Sequence, residues 1–502
     1  MAHAESSLRV AFKKGELAMG IFAKWREKFA PIRFLVNAQK TPWYPVLFAA
    51  LCIIGGTHDH TVYIPVLWIL AAFVLFSVFF ADDNKVFLAP MLMIFFALGQ
   101  DTSADAFADS NGDMLAFMDK GAFVQVIAIC VICVGAFVAR LIIDGSVAAA
   151  FKRRRLFTVS IIAMDIAFLA NGLFSPEYDI VNLGYGAFFA MGFTVVYFLV
   201  CGMLEHSDDP ITYGCYCMLG TAYVALLQIL TVVARLINTD KFFIVYSDGT
   251  RVINKACMSL GWGISTVIAA VFVLGIPAAM YLSKERRLSL FYFASSVLFI
   301  IGTVIINVRS AMVVSAAVMI LCTVICCIKG KNRVKFRIYS VATAILIIVG
   351  LILVDRLIVP ISKILDEVFY LLRFNLNADS GRSDLWYNGI SDFLSSPVFG
   401  KGFNDGGYSS ELRNNNVFSN MYHCILIQIP GAMGMAGCLA FITHIVSLGI
   451  AFFKKFSCNK LFLLMIPLMI LGMSLADNFF FYLHFQIFYG AFLALAEKSS
   501  EP

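Results

Sequence analysis

The sequence predicts an all-α polytopic membrane protein, with about 12–14 transmembrane helices and one large external loop. Three observations predict it. Hydrophobic residues make up 60% of the 502 positions and charged residues only 14%, against roughly 45–50% and 25% in soluble domains. Apolar runs near the ~20 residues that a spanning helix needs recur along the whole chain. Lys and Arg gather in alternate connections between those runs. A soluble chain cannot hide so much apolar surface with so few charges. The same composition excludes disorder, collagen, a coiled coil and a disulfide scaffold. The net charge of +6 reports orientation rather than a partner. No basic stripe is interleaved with exposed aromatics, so a nucleic-acid partner is not expected.

Taken in order, residues 1–42 form a basic amphipathic N-terminus, expected to be cytoplasmic. Within it, residues 8–30 carry Phe12, Phe22 and Trp25 among lysines and arginines, a pattern suited to the anionic inner leaflet. No apolar run lies in the first 30 residues, so a cleavable signal peptide is not expected. Spans are expected near 43–56, 61–80, 86–100, 121–143, 156–173, 183–204, 212–236, 257–282, 288–307, 311–328 and 337–354. Together they make a bundle of about 11 spans over 43–354. The first and third are short enough for partial spans. Three more, near 424–453, 459–475 and 478–496, follow the loop, and 497–502 is a cytoplasmic tail. The cysteines fall mostly inside apolar runs; Cys130 and Cys133, a CxxC in AICVIC, are expected to be packing residues.

Alternation tests this order. With the N-terminus inside, the inner connections carry Lys13, Lys14, Lys24, Arg26, Lys28, Arg33 and Lys40, then Lys152 to Arg155, then Lys284, Arg286 and Arg287. Lys329, Lys331, Arg333, Lys335, Lys454, Lys455 and Lys460 follow on the same side. The outer stretch 101–120 is acidic instead, with Asp101, Asp105, Asp109 and Asp113. This is the positive-inside pattern, and both termini should be cytoplasmic.

Residues 355–423 break the short-loop rule on the outer side. Structureless loops beyond about 15 residues are uncommon and usually functional. Two helices are expected in it. Residues 361–372 (ISKILDEVFYLL) space their apolar positions for a helix lying in the interface. Residues 382–394 place Leu385, Trp386, Ile390, Phe393 and Leu394 on one side, with Ser380 as N-cap. The turn SSPVFGKGF and the polar run NDGGYSSELRNNN lead to the next span.

The chemistry-bearing residues concentrate here. Gly381-Arg382-Ser383-Asp384-Leu385-Trp386 is followed by Pro397-Val398-Phe399-Gly400-Lys401-Gly402, and then by Asn420-Met421-Tyr422-His423 with Gln428, Gly434 and Gly437. The order G-R-x-x-L-W, P-x-x-G-x-G, H-x4-Q-x5-G-x2-G, in an outer loop before three spans, resembles the O-antigen ligase and O-antigen polymerase superfamily. The motif covers about 60 residues, and the helix pattern fits around it. Two positions depart from the family: Cys424 stands where Asn usually follows the His, and Val308-Arg309 where a Ser-Arg pair is common.

The resemblance implies a bundle like the class C membrane glycosyltransferases in the bacterial inner membrane. It implies transfer or polymerisation of glycans from an undecaprenyl-diphosphate-linked donor on the outer face. The acceptor would be a lipid-linked repeat, another lipid or a protein. No nucleotide sugar, metal or other cofactor is implied; a chain-length regulator and a flippase are further candidate partners. Two other functions compete. A polysaccharide flippase has a similar span count, but this chain's spans are nearly free of charge and its polar chemistry sits in one outer loop. A metal-dependent polyprenyl-phosphate-sugar transferase would need a carboxylate and a divalent ion.

Physical chemistry assigns roles within that frame. His423 is the side chain whose ordinary pKa lies near neutrality, and it suits a general base acting on a sugar hydroxyl. A diphosphate leaving group needs positive charge, which arginine supplies through its fork of donors. Arg309 lies between two apolar runs and must face the bundle interior or the headgroups. Arg382 opens the loop helix, where the helix N-terminus also favours an anion. Arg251, in SDGTRVINKA, is a phosphate contact by resemblance. Arg356, Arg373 and Arg413 are weaker candidates. Trp386 and Tyr387 are sugar platforms, with packing of the loop helix as the stronger role for Trp386. Asn420 and Gln428 are sugar-binding or supporting residues. Gly431, Gly434 and Gly437 are expected to allow close packing, and Pro430 to kink its helix. Asp165 is costly within a span unless paired. Asp477 and His484 flank the last outer turn and are supporting candidates. His58-Asp59-His60 has metal-ligand residue types, but three adjacent residues do not readily converge on one ion.

Overall fold

A computed structural model gives the fold. It describes residues 20–56, 60–97, 120–152, 155–176, 180–237, 242–245, 251–254, 258, 265–329, 333–357, 382–403 and 422–499. The expected helix at 361–372 lies outside these residues.

Among the described residues the elements are helices apart from one two-stranded hairpin. A helical stretch at 20–28 precedes α1 (Ala30–Gln39), α2 (Trp43–Gly56) and α3 (His60–Phe80). The short α4 (Leu88–Met93) is followed by α5 (Lys120–Ile143), the six-residue α6 (Ser146–Phe151) and α7 (Thr158–Phe174). Next, α8 (Ile180–Ala190) continues through a π-turn at Met191–Val195 into α9 (Val196–Leu204). After α10 (Pro210–Leu236), strands β1 (Phe243–Val245) and β2 (Arg251–Ile253) pair antiparallel, with Phe243 opposite Ile253. The bundle resumes with α11 (Ser265–Glu285), α12 (Ser289–Ile306), α13 (Arg309–Lys329) and α14 (Arg333–Leu357). Helix α15 (Arg382–Ser395) lies in the long loop, and α16 (Ile425–Phe453), α17 (Cys458–Met473) and α18 (Leu483–Lys498) complete the chain.

Eight of the described helical stretches are long and apolar enough to cross a membrane, and α2, α7 and α17 are shorter apolar helices. The protein is a multi-pass membrane protein. The expected third span, 86–100, is not one continuous helix. It divides into a 3-10 turn (Asn84–Phe87), α4 and a second 3-10 turn (Ile94–Ala97), with Leu88, Ala89, Leu92 and Met93 all buried. Its apolar run is core filling rather than lipid-facing surface, and an apolar run alone does not distinguish the two. The helix expected from 257 begins in the described residues at Ser265. This α11 is the most enclosed helix, with nearly every residue buried from Ser265 to Ser283. Gly302 lets Phe272 of α11 approach α12: a Cβ there would lie 2.8 Å from the Phe272 ring.

The helices alternate between two ends. At one end, cations tie neighbouring connections together. Lys40 pairs with Asp82 at 2.7 Å, Lys85 Nζ donates to the Asp208 carbonyl at 2.6 Å, and Arg155 pairs with Glu205 at 2.8 Å. Arg286 pairs with Asp209, and Lys284 Nζ donates to Asn459 Oδ1 at 2.7 Å. Partial burial pushes the Asp82 carboxyl up, but the Lys40 hydrogen bond and charge outweigh it and hold it below its ordinary value. These contacts fix the starts of α10, α12 and α17 at the basic end. By alternation, the ends of α7, α12 and α17 and the starts of α13, α16 and α18 gather at the other. The β-hairpin and α15 belong to that second end.

Within the spans, Asp165 Oδ2 of α7 accepts a hydrogen bond from Thr194 Oγ1 in the π-turn, while Oδ1 is buried with no hydrogen-bond partner among the described residues. Cys130 and Cys133 are free thiols on α5.

Candidate active site

The second end is built around a broken helix. Helix α16 carries Pro430, whose missing N–H removes one ladder bond, but the backbone leaves helical values four residues later. Gly434 has φ 62° and ψ −157°. The break exposes backbone groups, and the P-x-x-G-x-G segment occupies it. Met435 N donates to Pro397 O at 2.8 Å and Ala436 N to Val398 O at 3.1 Å. In return, Lys401 N donates to Gly431 O and Gly402 N to Ala432 O, both at 3.0 Å. Four backbone bonds therefore stitch the loop into the helix. Both sides need glycine. A Cβ on Gly400 (φ 73°) would lie 2.3 Å from the Ala432 carbonyl carbon, and one on Gly434 would lie 2.5 Å from that of Val398. Asn171, at the end of α7, donates from Nδ2 to Phe399 O at 2.9 Å and also to Ala432 O. The glycines serve close packing, here between a helix and a loop.

Helix α15 docks beside this joint. Gly389 faces Ile427 and Tyr422, leaving 2.4 Å between its would-be Cβ and Ile427 Cγ2. Tyr422, 1% exposed, donates its hydroxyl to Asp392 Oδ2 at 2.6 Å. The loop helix is thus fixed to the residue preceding His423.

His423 turns the chain from loop to helix with φ 52°, a left-handed conformation uncommon outside glycine. Its Nδ1 lies 3.0 Å from Asp477 Oδ1. The Asp477 side chain is 8% exposed and the His423 side chain 34%. A carboxylate only accepts, so Nδ1 is the donor of this bond, and in a neutral ring Nε2 is then the acceptor. Asp477 Oδ1 also accepts from Asn478 N at 2.7 Å. One amide oxygen holds the two halves together: Gln428 Oε1 accepts from Tyr422 N at 2.9 Å and from Asn478 Nδ2 at 2.7 Å. Gln428 is 1% exposed and Asn478 fully buried. The turn after α17 is anchored too, with Ile425 N donating to Ser474 O at 2.8 Å and Phe480 N to Ser474 Oγ at 2.8 Å. Cys424 caps α16 without a side-chain hydrogen bond.

The other expected site residues are distributed as follows. Gln428 belongs to the frame behind His423, where its oxygen is committed to protein donors. Arg309 is exposed at the first turn of α13, at the same end as His423. Among the described residues, no hydrogen bond or ion pair joins Arg309 to His423. Arg251 begins β2 and Arg382 begins α15; their side chains lie outside the described residues, as do Asn420, Arg373, Arg413, His58, Asp59 and the side chains of Arg356 and His60. Trp386 is 38% exposed and Tyr387 75% exposed, so the protein covers more of the Trp386 ring than of the Tyr387 ring. His484 sits among rings instead of beside His423, 4.4 Å from Phe485, 5.9 Å from Tyr482 and 5.9 Å from Phe96 between ring centroids. Two residues escape a sequence reading: Asn478, whose only signal is its place beside Asp477, and Asp392, which looks like any polar position on an amphipathic helix.

No curated protein matches the chain. The sequence model of the O-antigen ligase family matches residues 294–442, a segment that runs from α12 through the long loop and α15 to the broken half of α16. It takes in Arg309, Arg382, the stitched glycines and His423, and over these residues the chain is similar to the O-antigen ligase family.

Proposed function

We propose that the protein is an inverting membrane glycosyltransferase. It moves a glycan from an undecaprenyl-diphosphate carrier to an acceptor, a lipid-linked repeat, another lipid or a protein, on the outer face of the bacterial cytoplasmic membrane. The observation that carries the reading is the His423–Asp477 pair at the rim of the bundle, within 3.0 Å and half-open to the outside. Residues 355–423 serve as the external catalytic loop.

His423 Nε2 takes the proton of an acceptor hydroxyl as that oxygen attacks the anomeric carbon. The carbon–oxygen bond to the diphosphate breaks, and undecaprenyl diphosphate leaves with the electron pair. Attack opposite the leaving group inverts the anomeric centre. Asp477 holds the ring in the required tautomer and stabilises the imidazolium as it forms. The diphosphate is already a fair leaving group and needs charge stabilisation rather than a proton. Arg309, Arg382 and Arg251 supply that charge, so the reaction runs without a divalent ion. Arg309 opens α13 at the end of the bundle where α16 begins, Arg382 opens α15 and Arg251 opens β2. Asn420 is the sugar-facing candidate of the loop. A lipid-linked repeat as acceptor gives a polymerase, and a separate lipid or protein gives a ligase.

Purified protein in detergent, given its undecaprenyl-diphosphate oligosaccharide with EDTA present, tests this by gel and mass spectrometry. A ladder on the same carrier, lost in His423→Ala, is the expected polymerase result. Transfer only after a separate acceptor is added identifies a ligase. No product, with the same protein moving labelled lipid across liposomes, overturns the reading in favour of a transporter.

A further inference from the structure

We propose that α15 is an interfacial helix whose Trp386, Tyr387, Ile390 and Leu394 sit in the lipid of the site-side leaflet, so that the catalytic loop rides on the membrane surface. The placement is independent of the reaction performed at His423.

The helix has three faces. At about 100° per residue, Gly389, Leu385, Asp392 and Ser396 fall on one arc, and this arc is docked. Gly389 presses on Ile427, Asp392 accepts from Tyr422, and Ser396 donates to Gly400 O at 2.9 Å. A second arc holds Asp384, Ser391 and Ser395, all exposed and polar. Between them lies an arc of about 100° occupied by Trp386, Ile390, Leu394 and Tyr387, with Ser383 at its first turn. Their exposures are 38%, 50%, 71% and 75%. A helix bathed in water on both free sides has no reason to carry four large apolar or aromatic residues on one of them. A helix lying between protein, lipid and water needs exactly one such arc beside its docked face.

Continuity identifies the occupant as lipid. The exposed side of α16 carries Leu426, Met435, Leu439, Ile442 and Val446, each at least 50% exposed. On a spanning helix that side meets acyl chains. Leu426 adjoins Ile427, the residue pressed against Gly389, so the lipid-facing side of α16 begins where α15 docks. Val398, 57% exposed, extends the apolar surface beyond the C-terminus of α15. Trp and Tyr at the membrane end of that surface are the residue types that favour the headgroup level, with an apolar ring and a polar edge.

Indole quenching in reconstituted full-length protein tests the placement. The chain has five tryptophans, so the difference between the protein and its Trp386→Phe variant isolates one of them. In the Trp386→Phe background, Tyr387→Trp places a reporter on the apolar arc and Ser391→Trp one on the polar arc. Phosphatidylcholine vesicles brominated near the headgroup end of the acyl chain should quench Trp386 and the reporter at 387 about threefold more than aqueous iodide does. The reporter at 391 should show the reverse. Iodide quenching at all three positions would overturn the proposal by placing the arc in water. Protection of 386 and 387 from both quenchers would overturn it by placing a protein cover there. Each variant is checked for an unchanged thermal midpoint, and Leu394→Asp repeats the reading if Trp386→Phe lowers it. In that variant the Trp386 signal should shift towards iodide; a signal unmoved by the new charge argues against immersion.

Discussion

At the scale of single residues, His423 is held by its neighbours on α16 and in the turn after α17. Its left-handed backbone costs energy, of order 1–3 kcal/mol for a non-glycine residue, and the surroundings fix it at three points. Tyr422 N is tied to Gln428, the ring to Asp477, and Ile425 N to Ser474. That arrangement makes Asp477 a positioning residue with a separable electrical part. Removing the carboxylate in Asp477→Ala should lower kcat by about 10²–10⁴-fold, as His423→Ala does, with little change in donor KM. The double variant should be no worse than either alone, because the two groups act as a unit. Asp477→Asn keeps an oxygen in place for Nδ1 and loses only the charge, so it should retain about tenfold more activity than Asp477→Ala. Equal losses in the two variants would make the role steric. His423 was legible in the sequence because its motif is local. Asp477 was legible only as a polar residue flanking an outer turn, since its pairing depends on how α17 returns to the start of α16. The arginines share an end of the bundle, which alternation already implied.

At the scale of elements, the P-x-x-G-x-G segment and the break in α16 form a single structure. Each supplies the backbone partners that the other lacks, and both need glycine at the crossing. Gly400→Ala should therefore cost about 2–5 kcal/mol, from overpacking of roughly 1–3 and a left-handed alanine of roughly 1–2. Thermal unfolding in detergent measures it. Gly449→Ala, on α16 away from the joint, is the control: nothing lies within 4 Å of its would-be Cβ, and the change should be neutral or stabilising by up to about 1 kcal/mol. An unperturbed midpoint in Gly400→Ala would show that the joint can open without cost. Periodicity predicted α15 to within a residue, because its apolar spacing is regular. The same spacing put Trp386 and Leu385 on one face, whereas the docked arc is set by Gly389 and Asp392, which carry no apolar signal. The helix break was anticipated at Pro430, the strongest local breaker, and falls at Gly434, where a partner fills the gap. The continuous span expected at 86–100 failed for the opposite reason: its apolar residues face protein, and protein neighbours tolerate 3-10 turns that lipid does not.

At the scale of the whole molecule, charge decides which end faces the cytoplasm. The basic end carries Lys40, Lys152, Arg155, Lys284, Arg286, Arg287, Lys329, Lys454, Lys455 and Lys460 in short connections. The site end carries Arg251, Lys255 and few others in its short connections, and its remaining arginines sit in the long loop 355–423. Loops beyond about 60 residues translocate largely regardless of charge, so those arginines do not compete for orientation. Carboxylates contribute little to topology, so the pairing of Arg155 with Glu205 and of Lys40 with Asp82 does not weaken the signal. The basic end should therefore be cytoplasmic, with His423 and its arginines outside. A fluorescent protein fused after Pro502 should fold and fluoresce, while alkaline phosphatase fused there should be inactive. Alkaline phosphatase fused within the acidic stretch 101–113 should be active. The opposite set of results would put His423 on the cytoplasmic side, where a donor exported to the outer leaflet cannot reach it, and would remove the outer-face reaction altogether. Mixed results at 101–113 alone would instead mean that the broken segment at 84–97 fails to carry the chain across, leaving the later helices, which alternate without interruption from α5, to orient the site.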